Sequence, residues 1–422
     1  MNCFYNAKIL LPKFKADKEK MKKWATIACD QYTSEPAYWN GVEETVADAS
    51  SALRVTLPEI YLEDGNTEAR IRAINERMRD YSENILDCFE GCEIYLERTL
   101  KDGRVRHGLI GKIDLEAYDY NKGAQTLVRA TEGTVLSRIP PRVEIRRGAE
   151  IELPHVMMLI DDRENAVMGA LEAEKGNFEV AYDFELMQSA GSVKGYFVNE
   201  NTQKRVNDAL EALCDIDAYN KKYSVNEKAP MLFAVGDGNH SLASAKALYE
   251  EIKAKYGDKA KDHPARYALV EIVNIHDAAL EFEPIYRVVF DADTTALLSE
   301  LKAYAEADKG GSNSFEIECV GKNINEKIII NNSKDELAVG ALQAFLDAYL
   351  EKNAGKIDYI HGVDSTKALA NAESAVGFIF DGMSKNALFK SVIVGGSLPR
   401  KTFSMGEADD KRFYLEARRI VE

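Results

Sequence analysis

One stretch constrains the fold of this chain more than any other: Pro230–Tyr256 joins an apolar run, a glycine-rich turn and an amphipathic segment. The apolar run Met231–Val235 is typical of a buried strand. Gly236–His240 follows it, and its two glycines permit a sharp turn and the close approach of a ligand. From Leu242 onwards, apolar residues recur at helical spacing. The pattern predicts a strand, a tight loop and a helix.

The side chains of this loop suit phosphate chemistry. Ser241 is the expected N-cap of the helix, which directs the first helical amides into the loop, where they attract anions. Asp237 offers an acid or base, Asn239 an amide and His240 an imidazole. The same residues are also ordinary turn formers, and His240 fits equally well as a capping or packing residue. Both interpretations remain open from the residues alone.

Composition excludes several classes of protein. The chain has 422 residues, enough for two or three domains, and its 45% hydrophobic and 29% charged content is typical of a soluble globular protein. No apolar run approaches the roughly 18 residues that span a bilayer, and we expect a cytoplasmic protein without a secretory signal. The six cysteines are scattered and lack zinc-site spacing. A net charge of −16 argues against a nucleic-acid partner, because such binding requires Lys and Arg to neutralise phosphates.

The segment Leu127–Arg147 reverses this acidity, with five arginines against two glutamates. Arg138, Arg142 and Arg146 are four residues apart, so they share one edge of the helix that Pro140–Pro141 is expected to open. Guanidinium groups suit phosphate geometry, which favours an anion clamp. A solvated, salt-bridged helix face explains the same spacing.

Further candidates lie along the chain. Near the C-terminus, Lys401 and Thr402 offer a cation and a hydroxyl to a phosphate, or belong to an ordinary surface strand. Asp30 and Glu35 are possible catalytic carboxylates, but an N-cap and a solvated helix start explain them as well, and we favour the latter interpretation. Asp161 and Asp162 end a predicted strand, where they would hold a metal or cap the next helix, and we favour the cap.

Residues 237–246, Asp-Gly-Asn-His-Ser-Leu-Ala-Ser-Ala-Lys, resemble the Asp-Gly-(His/Asn)-His signature of the domain of unknown function 1015 (DUF1015) family. Residues 51–59, 129–134 and 398–403 resemble further family segments in the same order, so the resemblance covers nearly the whole chain. Thr131 stands where the family commonly has a histidine. The family is similar to a distant branch of the ParB/sulfiredoxin-like superfamily, which includes free serine kinases.

Strands and helices alternate irregularly along the chain, which predicts an α+β fold. After Pro284 the sequence predicts helices over Thr294–Ala307 and Ala338–Lys352 and a buried strand over Val376–Phe380. The resemblance implies a ParB/sulfiredoxin-like mixed α/β core in an N-terminal region, residues 1–283, followed by a smaller C-terminal α/β region, residues 284–422.

The resemblance implies a small-molecule phosphotransferase, which phosphorylates a free amino acid such as serine from a nucleotide or pyrophosphate donor with Mg²⁺. Its expected catalytic residues are Asp237, His240 and Glu132. The residues expected to hold the donor phosphates are Gly236, Gly238, Asn239, Ser241, Arg129, Arg138, Arg142, Lys401 and Thr402. No metal-ligand motif is visible, so Mg²⁺ is expected to arrive with the donor. The alternative is a protein that senses nucleotide or phosphate in the same pocket without turnover.

Overall fold

The structure is a computed structural model that describes residues 3–62, 65–134 and 139–421. The chain divides into two compact units, Met1–Leu280 with Glu407–Glu422, and Glu281–Gly406. The division expected from the sequence placed 407–422 in the second region. In the structure this segment belongs to the first unit, because its two short strands pair with strands of that unit.

The first unit is built from alternating strands and helices. Its strands are β1 (Phe4–Tyr5), β2 (Ala7–Pro12), β3 (Thr26–Ile27), β4 (Leu86–Cys92), β5 (Ile94–Thr99), β6 (Val105–Asp114), β7 (Tyr118–Asp119), β8 (Val128–Ala130), β9 (Ile151–Glu152), β10 (Met157–Ile160), β11 (Glu179–Glu185), β12 (Ser192–Phe197), β13 (Phe233–Asp237) and β14 (Tyr267–Asn274). Its helices are α1 (Lys18–Trp24), α2 (Pro36–Val46), α3 (Thr67–Asp80), α4 (Ile139–Arg147), α5 (Ala166–Glu174), α6 (Glu200–Leu213), α7 (Ile216–Tyr223) and α8 (Asn239–Tyr256).

The second unit has strands β15 (Phe282–Phe290), β16 (Asn313–Gly321), β17 (Ile324–Ser333), β18 (Lys356–His361), β19 (Val376–Phe380) and β20 (Phe403–Met405), with helices α9 (Thr294–Glu306), α10 (Ala338–Leu350), α11 (Val363–Ala370) and α12 (Ala387–Gly395). Its strands form one sheet in the order β17-β16-β19-β15-β18, with β20 paired to β15. The segment that returns to the first unit carries β21 (Phe413–Tyr414), paired with β3, and β22 (Arg418–Arg419), paired with β9. The chain is therefore a mixed α and β protein.

The main sheet of the first unit runs in the order β11-β12-β5-β6-β14-β10-β13-β8-β7, and β1 pairs with β6. β13 is antiparallel to β10 and parallel to β8, so Asp237 lies opposite Met157, and Val235 lies opposite Ala130. β10 and β14 are parallel. Residues that precede β10, follow β8 and follow β13 therefore meet at one end of the sheet, whereas residues that follow β10 and β14 lie at the other end.

The predicted strand, loop and helix around Asp237 are confirmed, with shifted boundaries. Phe233 and Val235 of β13 are fully buried. Leu242, Ala245 and Tyr249 of α8 pack in the same apolar cluster, because their spacing puts them on one face of the helix. Among the described helices, none has both the length and the hydropathy needed to cross a membrane.

Candidate functional site

A left-handed glycine connects β13 to α8. Gly238 has φ 78° and is the N-cap of α8, so the expectation that Ser241 caps the helix is wrong. A Cβ at Gly238 would lie 3.0 Å from Val156 Cα and 3.2 Å from His155 Cδ2. Only glycine fits both the backbone conformation and this space, which keeps the loop in contact with His155. Ser241 lies instead in the first turn of the helix.

Ser241 and His155 form a hydrogen-bonded pair. Ser241 Oγ lies 3.1 Å from His155 Nε2, and His155 Nδ1 lies 2.9 Å from Tyr414 Oη. The Tyr414 hydroxyl donates to Cys29 Sγ at 3.1 Å and accepts from the Cys29 N–H at 3.3 Å. Since its one proton goes to the sulfur, the Tyr414 oxygen accepts from His155 Nδ1–H. This arrangement leaves Nε2 of His155 as the acceptor for the Ser241 hydroxyl.

Two carboxylates and a lysine lie beside this pair. Asp30 Oδ2 is 4.0 Å from His155 Nε2, and Lys411 Nζ is 3.4 Å from Asp237 Oδ2. Burial alone would raise the pKa of Asp30, but the charge that His155 carries when it is protonated, a hydrogen bond from Gln31 and the charge of Lys411 hold that pKa below its ordinary value. Asp30 is therefore a carboxylate near neutral pH. Of the two carboxylates interpreted as an N-cap and a helix start, Glu35 is the N-cap residue of α2, without a side-chain capping bond, and Asp30 precedes the helix.

A cavity of about 170 Å³ opens beside Ser241, His155 and Tyr414. Much of its wall is apolar and includes Val55, Leu57, Leu62, Met78, Leu153 and Leu242. Arg142 and Arg146 also line it, one turn apart on α4, as their spacing predicts. Each is already paired with a carboxylate, Arg142 with Glu59 and Arg146 with Glu152. Arg138, the third arginine of the predicted helix edge, lies outside the described residues.

The segment that follows β8 lies beside the loop. The Thr131 hydroxyl donates to Val235 O at 2.6 Å, and Glu132 is the next residue. Asn239 Nδ2 lies 3.4 Å from both Thr131 Oγ1 and Val235 O. Its Oδ1 is buried and has no hydrogen-bond partner among the residues that the structure describes. Gly236 ends β13 with Asp237, and His240 occupies the first turn of α8, so these predicted residues come together.

Arg129 of the predicted clamp is held by the backbone. It is 3% exposed, and its guanidinium donates to Thr126 O at 3.0 Å and to Ala229 O at 3.1 Å. Burial lowers the pKa of Arg129. These contacts tie β8 to the chain that enters β13, which is a structural role.

Lys401 and Thr402 belong to the second unit. The Thr402 hydroxyl donates to Pro399 O at 2.6 Å, and the Lys401 carbonyl accepts from Arg287 Nη1 at 2.9 Å. Arg287 is fully buried there. The segment therefore anchors a buried arginine within that unit.

Comparison with protein families gives a match over most of the chain. The family model described as a protein of unknown function (DUF1015) matches residues 10–365. The chain belongs to this family. A comparison with curated proteins finds no match.

Solved structures that are similar to this DUF1015 chain are remote. A conserved hypothetical protein from Pyrococcus furiosus is 14% identical with a TM-score of 0.33, over 72% of this chain and 90% of that one. A free serine kinase in complex with AMP is 14% identical with a TM-score of 0.36, over 74% and 90% of the two chains. SbnI from Staphylococcus aureus, with a C-terminal truncation, is 9% identical with a TM-score of 0.36, over 70% and 82%.

Sequence reasoning missed part of the site in this DUF1015 protein. The sequence predicts a buried strand over His155–Asp162 but carries no functional signal for His155, Tyr414 or Lys411. The last two follow the second unit along the chain and lie beyond the matched residues 10–365. The pairing of β21 with β3 helps to bring them to His155 and Asp237. No group of three or more potential metal-ligating side chains occurs within the described ranges.

In the first unit, a second polar cluster surrounds Asp161, which directly follows the C-terminal end of β10. Its carboxylate accepts from Tyr223 Oη at 2.6 Å and lies 2.6 Å from His276 Nε2 and 3.1 Å from Lys222 Nζ. Asn165 occupies the N-cap position of α5 without a side-chain capping bond, and Asp162, three residues earlier, caps the first turn instead, since its Oδ2 accepts from the Val167 N–H at 2.8 Å. Asp161 itself is not a cap, and it connects α7 and the end of β14 to β10.

Proposed function

We propose that this DUF1015 protein is a small-molecule phosphotransferase with a ParB/sulfiredoxin-like core. It transfers a phosphoryl group from a nucleotide or pyrophosphate to the hydroxyl of a free amino acid such as serine. The observation that carries the proposal is the cavity at the start of α8, where the hydrogen-bonded Ser241 and His155 lie beside the cluster of Asp30, Lys411 and Asp237.

The start of α8 supports phosphate binding. The first turn of a helix has backbone N–H groups without intrahelical acceptors, and the helix dipole favours an anion there. Gly236 and Gly238 allow a phosphate to approach the backbone closely. The Oδ1 of Asn239, which has no partner within the described part of the chain, would accept from a donor hydroxyl or a bound water.

A carboxylate in or beside the loop accepts the proton of the acceptor hydroxyl. Phosphoryl transfer depends mainly on positioning and charge stabilisation, and one group must accept the proton of the acceptor hydroxyl. We assign that role to Asp237, which is 22% exposed in its side chain and therefore reachable by a ligand. Glu132, beside Thr131, and His240 are the further proposed participants.

We expect Mg²⁺ to arrive with the donor phosphates. When bound, it would neutralise them, and phosphate oxygens and water would supply its ligands. Arg142 would contribute by exchanging Glu59 for a donor phosphate.

Phosphorus NMR tests the proposal. The purified protein is incubated with Mg²⁺ and a mixture of free amino acids, with ATP, ADP or pyrophosphate in separate tubes and a protein-free tube as control. A new phosphomonoester signal that depends on one amino acid is expected. Donor signals that broaden without product would indicate a sensor instead, and an unchanged spectrum with every donor would contradict both functions.

A further inference from the structure

We propose that Ser241 is a covalent nucleophile, which takes the phosphoryl group from the donor before the acceptor receives it, with His155 as its general base. The inference rests on the proposed phosphotransferase function and assigns that activity a two-step path. It follows from the arrangement of Ser241, His155, Tyr414 and Cys29 around the cavity.

The geometry is that of an activated hydroxyl. Nucleophilic serine requires a base within about 2.6–3.2 Å and a third group that orients the base. Ser241 Oγ is 3.1 Å from His155 Nε2, and Tyr414 Oη holds His155 Nδ1 at 2.9 Å. His155 is 8% exposed, so its ring is fixed, yet both it and Ser241 line the cavity.

Neighbouring hydroxyls lack this arrangement. Ser244 Oγ, one turn further along α8, donates to His240 O at 2.7 Å. Thr131 Oγ1 donates to Val235 O at 2.6 Å. A backbone carbonyl cannot accept a proton in a reaction, whereas the unprotonated Nε2 of His155 can. Of these three hydroxyls, Ser241 is the one bonded to a base.

The proposed steps balance as follows. Ser241 Oγ bonds to the terminal phosphorus of the donor, the bond from that phosphorus to its bridging oxygen breaks, and the hydroxyl proton moves to His155 Nε2. The Asp30 carboxylate, 4.0 Å from Nε2, stabilises the imidazolium. The acceptor hydroxyl then attacks the same phosphorus and gives its proton to Asp237. Ser241 Oγ leaves and recovers its proton from His155.

Isotope exchange without any acceptor tests the covalent step. Labelled ADP is mixed with unlabelled ATP and Mg²⁺, and labelled AMP with unlabelled ADP. Wild-type protein is expected to move label into the donor, since phosphorylated Ser241 reverses the first step. Mass spectrometry of the wild-type protein after incubation with donor is expected to find a phosphoryl group on Ser241.

Variants identify the residue. Ser241→Ala is expected to reduce exchange to the level of a protein-free sample, and His155→Gln to slow it on the order of 100-fold. Ser244→Ala, prepared in the same way, is the matched control and is expected to retain exchange. Thermal unfolding of each variant checks that it is folded, and phosphosite mapping of the wild type does not depend on any variant.

The possible failures are distinguishable. Phosphotransfer seen by NMR without exchange and without phosphorylated Ser241 would overturn the covalent step and leave the proposed function intact. Phosphotransfer by Ser241→Ala at the wild-type rate would also overturn the covalent step and leave the proposed function intact. Absence of product with every donor would instead overturn the proposed function.

Discussion

The two ends of β10 carry clusters of similar composition but different organisation. At one end, His155 contacts Ser241 and Tyr414 and lies near Asp30, and the group borders a cavity. At the other end, Asp161 contacts Tyr223, His276 and Lys222. Both clusters combine an acid, a histidine and a tyrosine, so residue type alone does not distinguish them.

The difference lies in what the buried group faces. Asp161 is 4% exposed, and its oxygens are occupied by three side chains from two chain segments. Its pKa is held below the ordinary value, although burial would raise it, because Tyr223, His276 and Lys222 stabilise the anion. His155 instead presents Nε2 to a hydroxyl at a cavity wall. A saturated cluster stabilises the fold, whereas one with reactive groups at a cavity wall supports chemistry.

Asp161→Ala is expected to have the largest effect. Removal of a buried carboxylate leaves its donors without an acceptor and costs about 4 kcal/mol in the free energy of unfolding. Urea unfolding measures this loss. The control is Asp162→Ala, which removes one helix-capping bond and should cost about 1 kcal/mol. Equal costs for the two variants would contradict the structural role of the Asp161 cluster.

Glu93→Gln is expected to raise the free energy of unfolding at pH 8, whereas Asp161→Ala lowers it. Glu93 is fully buried between β4 and β5, neither carboxylate oxygen has a hydrogen-bond partner within the described residues, and burial raises its pKa to about 8. The folded state holds this proton more tightly than the unfolded state does. The stabilisation of the folded state by protonated Glu93 is fully present below about pH 4.5. It declines as the pH rises to about 8, by on the order of 1 kcal/mol per pH unit.

Urea unfolding at several pH values from 5 to 9 tests this pH dependence. Glu93→Gln should lose this decline and exceed the wild type in stability at pH 8. Parallel stability curves for the two proteins would show that Glu93 does not ionise on unfolding.

Asp237→Asn tests the cavity end of the sheet. Asparagine retains the Oδ1 that accepts the Gly238 N–H at 2.9 Å, so the loop should keep its shape. Loss of the proton acceptor is expected to lower kcat by roughly 100-fold with nucleotide affinity largely retained. Steady-state kinetics and calorimetric titration measure the two quantities. Full activity of the variant would remove Asp237 from the catalytic role.

Tyr414→Phe is expected to have the smallest effect. It keeps the aromatic contact with His155, whose ring centroid is 5.7 Å away, but removes the oxygen that fixes Nδ1–H. A lost hydrogen bond of this kind should reduce kcat about 10-fold and leave KM unchanged. Tyr182→Phe removes a buried hydroxyl that bonds Glu416 in the same C-terminal segment, and should lower stability without this kinetic change.

Much of the local fold could be predicted from the sequence. The expected helices Thr294–Ala307 and Ala338–Lys352 appear as Thr294–Glu306 and Ala338–Leu350, and the strand Val376–Phe380 is unchanged. Apolar spacing specifies such elements because it reflects which face is buried. The sequence places the start of α8 three residues too late, because Gly238 in its left-handed conformation is the N-cap in place of Ser241.

The site was only half predictable. Asp237, Asn239, His240 and Ser241 are adjacent in the chain, so a motif reveals them. His155 and Tyr414 are 259 positions apart in the sequence and are joined by a hydrogen bond. The spacing of apolar residues cannot predict such a long-range contact. The arginine spacing correctly placed Arg142 and Arg146 on one edge, but it could not show that Glu59 and Glu152 neutralise them.

The position of Tyr414 has a consequence during synthesis. A nascent chain on the ribosome acquires Ser241 and His155 well before residue 414 is translated, and the whole of Glu281–Gly406 must be made in between. Until β21 pairs with β3, the imidazole of His155 lacks the partner that orients it. The order of translation thus delays completion of the site until residues on both sides of the inserted unit have been made.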